Sequence, residues 1–152
     1  KNGWRYTPYV IEPAAGVTRG LLVYLLDAYH EETVPNADGE DSSRVVMKLH
    51  PRLAPIKVAV LPLVKKEGLP EIAREMVSGF FKAGINARYD EQHSIGKRYR
   101  RHDEAGTPYC ITIDGQTTED GTVTIRDRDT MEQERISKDE ALQVVQKRLI
   151  ES

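Results

Sequence analysis

From His93 to His102 the chain carries Lys97, Arg98, Arg100 and Arg101 without a single acid. On a helix Lys97 and Arg101, four residues apart, share a face with Arg98 beside it, while Ile95 and Tyr99 point to a core. So compact a set of cations suits phosphate oxygens or base edges of RNA. It suits equally a solvated helix face, with Arg100 paired to Glu104 one turn on. The Gly96-Lys97 pair is no phosphate loop, because the G-x-x-x-x-G-K-[ST] spacing is missing. A second candidate is Glu12…Arg19 in E-P-A-A-G-V-T-R-G-L-L, where a glycine turn before a helix lets an arginine reach a bound phosphate. The competing reading is a surface arginine at a helix start, where its charge opposes the helix dipole. A third is Arg126-Asp127-Arg128-Asp129 at a strand end, read either as a functional loop or as charge protecting a sheet edge. The four histidines and Cys110 show no metal-ligand spacing, and no Ser/His/Asp or Cys/His set assembles. Cys110, between Tyr109 and Ile111, reads as a small core residue.

The elements that must position these residues are organised around 55–63, P-I-K-V-A-V-L-P-L. A short apolar, β-branched run bordered by prolines predicts a strand buried on both faces, hence a sheet with helices on each side. After it, Leu69, Ile72, Ala73, Met76, Val77, Phe80 and Phe81 keep helical spacing, with Pro70 at the start and Gly84 at the end. Residues 86–90 predict a short strand, and Ser94 caps a helix over 95–105 closed by Gly106. Alternation over 108–114 and 122–126 predicts two paired strands, and 133–136 an edge strand. Ser137-x-x-Glu140 reads as a capping box for a last helix with Leu142, Val145 and Leu149 buried.

Upstream, 6–11 reads as an extended segment, and from Thr18 a helix carries Leu21, Leu22, Leu25, Leu26 and Tyr29. That helix is apolar over most of its circumference and expects burial against a larger body. Residues 31–43 are polar, acidic and rich in turn formers, and predict a flexible connection or an insertion loop. Residues 44–49 predict a short strand.

With 152 residues, 39% hydrophobic and 30% charged, the composition is that of a globular protein with a real core. No run reaches about 18 apolar residues, so no membrane span is expected. One cysteine excludes an internal disulfide and fits the cytoplasm. A net charge of −2 excludes coating of nucleic acid by bulk charge and leaves local recognition.

Four blocks carry a family resemblance: Y-V-I-E-P-A-A-G-V-T-R-G-L-L; L-H-P-R-L-A-P-I-K-V-A-V-L-P-L-V-K-K; S-I-G-K-R-Y-R-R-H-D-E-A-G-T-P-Y-C; and T-V-T-I-R-D-R-D-T-M-E-Q-E-R-I. Over essentially its whole length the chain resembles the C-terminal part of class II aminoacyl-tRNA synthetases of the dimeric glycyl-specific family. The first block is similar to motif 3, the others to the anticodon-binding domain. The resemblance implies an α/β fold, a mixed sheet of about five strands flanked by three helices, preceded by a strand-helix remnant of a catalytic domain. It implies a catalytic remnant over 1–32, a linker or insertion over 33–53 and the anticodon-binding domain over 54–152. The implied activity of the full-length enzyme is ATP-dependent activation of glycine, with magnesium, and transfer to tRNA in a homodimer.

By that resemblance Arg19 is the motif 3 arginine that binds the ATP γ-phosphate and serves catalysis, and Glu12 lies at the pocket for the glycine ammonium group. Thr18 stands where an acid is frequent, and Ala14 where serine is common. Lys97, Arg98, Arg101, Arg126 and Arg128 become the expected tRNA contacts, against unpaired anticodon bases. Motifs 1 and 2 lie upstream in such enzymes, so this stretch alone is expected to be inactive, with no ATP or metal ion held by it. The rival readings are an accessory or regulatory RNA-binding protein that reuses the domain, and a small flavodoxin-like nucleotide-binding enzyme, for which 64–68 is a poor phosphate cradle.

Overall fold

The computed structural model describes residues 3–35, 41–66 and 68–152. Its centre is the apolar run singled out above. Strand β3 (Val58–Pro62) is buried at every position, because alternate side chains meet different helices. Val58 and Val60 face a core shared with Leu69, Ala73 and Phe80 of α2 (Leu69–Lys82). Ala59 and Leu61 face Ile95 and Tyr99 of α3 (Ile95–Glu104) on the other side.

In the five-stranded sheet the order is β4 (Ala87–Tyr89), β3, β5 (Tyr109–Ile113), β6 (Thr122–Asp127), β7 (Gln133–Ser137). β3 runs parallel to both its neighbours, and β6 and β7 add antiparallel strands beyond β5. The closing helix α5 (Ala141–Glu151) lies beside α2, burying Ala141 and Val145 in the same core. The mixed five-stranded sheet and its flanking helices are those predicted.

One element was not expected, and three local expectations are corrected. Residues 115–120, between β5 and β6, form a short helix α4 (Gly115–Asp120), invisible to hydrophobic periodicity because G-Q-T-T-E-D has none. What fixes it is a capping box: Asp114 accepts from the Thr117 amide at 3.2 Å, and the Asp114 amide donates to Thr117 Oγ1 at 3.2 Å. The capping box expected at Ser137 does not form. Ser137 stays paired with Thr122 in the sheet, and α5 starts only at Ala141. Ser94 does stand at the start of α3, but its side chain makes no cap hydrogen bond.

The third correction concerns the acidic stretch. In place of a flexible connection or loop over 31–43, β1 (Tyr29–Pro35) and β2 (Asp41–Met47) pair in antiparallel register from Tyr29↔Met47 to Pro35↔Asp41. Residues 36–40, the middle of that expected loop, lie outside the described residues. The hairpin lies against α3, and its exit passes the end of that helix at Gly106. Gly106 adopts φ 75°, and a Cβ there would sit 3.1 Å from the Met47 carbonyl oxygen, so the turn and the close approach of the hairpin exit both favour glycine.

Ahead of the hairpin, α1 (Val17–Ala28) buries Ala28 alone among the helix's side chains, while Leu21, Leu22, Val23, Tyr24 and Leu26 are exposed. Residues 6–11, expected to be extended, join neither sheet. Among the described residues no helix is long and apolar enough to cross a membrane.

Candidate nucleic-acid interface

The stripe of α3 that packs inward is Ile95, Arg98, Tyr99, His102 and Asp103, so the helix buries two basic side chains and an acid along with its apolar residues. Lys97, Arg100 and Arg101 are left on the outer side, where they line an open groove with Tyr99, Arg126 and Met131. The hairpin contributes Pro35 to the same groove, and β7 contributes Gln133.

Among the five basic residues expected at an RNA surface, the structure brings Lys97, Arg101 and Arg126 together and turns two inward. Lys97 is exposed. Arg101 keeps a third of its side chain in solvent while Nη1 donates to Asp90 Oδ2 at 2.8 Å. Arg126 forms the floor, nearly buried, donating to both oxygens of Asp103 at 2.8 and 3.1 Å, with its guanidinium 4.8 Å from the centre of the Tyr99 ring. Burial is the largest single influence and works against that charge, but the hydrogen bonds to Asp103 and its negative charge, with smaller contributions from Cys110 and Tyr99, together hold Arg126 above its ordinary range. Tyr99 in turn is fixed by a 2.6 Å hydrogen bond between its hydroxyl and Thr112 Oγ1.

Arg98 is 2% exposed and donates to the carbonyls of Pro62 at 2.6 Å, Asp90 at 3.2 Å and Leu63 at 3.3 Å. Desolvation lowers its guanidinium below the usual value. It sits at the carboxyl ends of β3 and β4, whose connections leave toward opposite faces. Beyond β5 the sheet turns antiparallel, where a doubly-wound fold would continue parallel, which counts against a flavodoxin-like reading.

Arg128 is likewise 2% exposed, with Nη1 donating to Leu49 O and Gly106 O at 2.9 Å and two further bonds to the carboxylate of Asp129. Sequence spacing held a clue for Arg98, since 95, 98, 99 and 102 form one i, i+3, i+4, i+7 stripe. For Arg128 there was none, because its acceptors are main-chain carbonyls from distant segments.

Two residues, one lining the groove and one buried behind it, escaped the sequence. Met131 lines the rim at φ 61°, a left-handed conformation that costs a side chain roughly 1–2 kcal/mol. It is imposed by the tight β6–β7 turn, in which Asp127 Oδ1 accepts from the amides of Asp129 and Thr130. Arg44, from the hairpin, reaches the back of the groove and donates to Asp103 Oδ2 at 3.1 Å.

The second expected site is not built up in the same way. Glu12 and Arg19 are exposed, the former in the irregular N-terminal segment and the latter in the first turn of α1. Among the described residues no group of three or more His, Cys, Asp or Glu side chains is placed to hold a metal ion. A small hollow of about 210 Å³ between α2 and α5 sets Lys138 among Glu75 and Asp139, an unsuitable charge balance for RNA. The groove on α3 is therefore the candidate.

Residues 57–148 match the family described as an anticodon binding domain. A glycine–tRNA ligase of Rhodopirellula baltica is 53% identical over 145 residues, which is 95% of this chain and 27% of that protein. The glycine–tRNA ligase of Thermobifida fusca is 53% identical over 145 residues, 95% of this chain and 31% of that protein. That of Corynebacterium efficiens is 54% identical over 140 residues, 92% of this chain and 30% of that protein. The chain thus spans about three tenths of the length of the curated relatives it matches.

Proposed function

This chain belongs to the anticodon binding domain family, and from that premise we propose that it is the tRNA-reading part of a glycyl-tRNA synthetase. The observation that carries the proposal is the groove on α3. Two cations at its rim, exposed Lys97 and the partly exposed Arg101 tied to Asp90, stand over a floor where a fixed guanidinium stacks on a tyrosine. Phosphates of a single-stranded loop would meet the rim, and an unstacked base would meet the Tyr99, Arg126 and Met131 surface. Arg98 and Arg128 support this surface from inside, by holding the ends of β3 and the hairpin exit, and would not touch RNA directly.

The activity of the whole protein would be ligation of glycine to its tRNA through an ATP-derived adenylate. In that reaction Arg19 would contact the ATP γ-phosphate and Glu12 the glycine ammonium group. Magnesium would accompany the ATP, held by its phosphates and one or two carboxylates. The exposed apolar side of α1 is available for packing by the catalytic part, and a homodimer working in the cytoplasm would complete the assembly. A regulatory RNA-binding protein built on the same domain would have no use for Glu12 and Arg19, which favours the enzyme.

The deciding experiment measures binding of glycine tRNA transcripts, unaltered and with the second and third anticodon bases replaced, at two salt concentrations. Preference for the unaltered anticodon, lost in Arg126→Ala, is the expected result. Equal binding of all transcripts, governed by salt alone, would reduce the groove to a generic basic surface and overturn the reading.

A further inference from the structure

Among the described residues Arg44 is the largest fully buried side chain, 1% exposed, in a hairpin strand made otherwise of small, polar and aliphatic residues. Burying a guanidinium is costly, and an apolar residue of like size would anchor a hairpin at least as firmly. The position of Arg44 is therefore informative beyond anchoring. Its Nε donates to Asp103 Oδ2 at 3.1 Å, its Nη1 to Glu32 Oε2 at 3.1 Å, and its Nη2 to the main-chain oxygen of Arg128. Asp103 uses the same carboxylate to hold Arg126, the floor of the groove. Glu32 also pairs with Lys48, so three cations share two carboxylates, and Arg44 links the hairpin to Asp103 and through it to Arg126. A second tie runs from Arg100, another groove residue, whose Nη2 donates to Ser42 Oγ of β2 at 3.1 Å. Pro35, at the end of β1, then stands in the groove itself.

The hairpin lies outside residues 57–148, the part that matches the family. We propose that it forms the second wall of the RNA groove, and that Arg44 is a positioning residue that sets this wall and orients Arg126 toward the bound base. The proposal rests on the tRNA-reading role above. Arg44 reaches no phosphate, so it acts on selectivity, not on the salt-dependent part of binding.

The test uses the same two glycine tRNA transcripts, with Arg44→Met and Glu32→Gln beside the wild-type chain and a thermal melt of each. Arg44→Met is expected to cut the preference for the unaltered anticodon roughly three- to tenfold. Its affinity for the altered transcript and its salt dependence should match the wild type. Glu32→Gln, which loosens Arg44 at its half-buried end, should give a smaller loss of the same kind, and it decides the matter should Arg44→Met fail to fold. Wild-type preference in a folded variant, or a loss equal for both transcripts and tracking the melt, would overturn the proposal while leaving the tRNA-reading role intact. A wild-type chain with no anticodon preference would overturn that role, and this proposal with it.

Discussion

On one face of the five-stranded sheet, α2 and α5 cover Val58, Val60, Ile111, Ile113, Val123 and Ile125 with side chains such as Leu69, Phe80 and Val145. On the other, α3 and the hairpin cover Ala59, Leu61 and Cys110 with Ile95 and Tyr99, and next to that small patch bury Arg44, Asp103, Arg126 and His102. The first face is held by non-directional burial, worth about 1.5–3 kcal/mol for each large side chain. It asks only for volume and accepts exchange among aliphatic residues. The second is held by directed bonds with assigned partners, and such an arrangement fixes positions better than it adds stability. The groove lies on the second face. The apolar core and the proposed recognition surface are thus separated by the thickness of one sheet.

Paired substitutions test that separation most directly. Phe80→Ala should cost about 3–5 kcal/mol through the cavity it leaves, and Asp103→Ala roughly the same, by leaving Arg44 and Arg126 buried without their shared partner. Denaturant melts would measure both. The contrast comes next: replacing Arg44, Asp103 and Arg126 together by apolar residues of similar volume should restore most of that stability, while anticodon preference stays lost. If preference returned with stability, the two faces would differ in composition only.

A middle-sized effect is expected from pH. Burial holds the imidazole of His102 below its ordinary value of 6.5, and although Asp90, 3.5 Å away, and Asp103 pull it up, Arg88 and Arg101 push it down further. The unfolded chain therefore takes up this proton first as pH falls. Stability is complete above about pH 6.5 and declines below it, toward the lowered folded value. Melting temperatures from pH 8 to 5 should show this decline in the wild type and lose it in His102→Gln. A decline of equal size in that variant would locate the titration elsewhere.

The smallest effect on stability, within about 0.5 kcal/mol, belongs to Lys97→Ala at the exposed rim. RNA binding should nevertheless weaken for every transcript, and the slope of affinity against salt should fall by about one counterion. An unchanged slope would remove Lys97 from the interface.

What the sequence discloses follows the same division. β3 and α2 were legible because burial on one or both faces writes apolar periodicity into the chain. Of the hairpin only the second strand was legible, through Val45, Val46 and Met47 within the expected strand 44–49; β1 is polar and depends on cross-strand pairing. α4 depends on Asp114 and Thr117 and not on a stripe, so periodicity passed over it. At Ser137 the S-x-x-E spacing was present, but pairing with Thr122 kept the residue in the sheet. The basic residues were found as a set, yet charge type alone does not separate Lys97, open to solvent, from Arg98, held by three carbonyls of distant strands. Only the fold decides which cations face the groove.

Cys110 lies in the middle of this arrangement, in the central strand β5, between Tyr109 and Ile111 and almost without exposure. Burial pushes its thiol up to about 12, so in the closed molecule it is neither ionised nor reachable. It is the one thiol of the chain. A sulfhydryl reagent therefore reacts no faster than β5 parts from its neighbours, and the labelling rate under native conditions is a clock for the opening of the sheet. The same burial protects this thiol from oxidation for as long as the clock stands still.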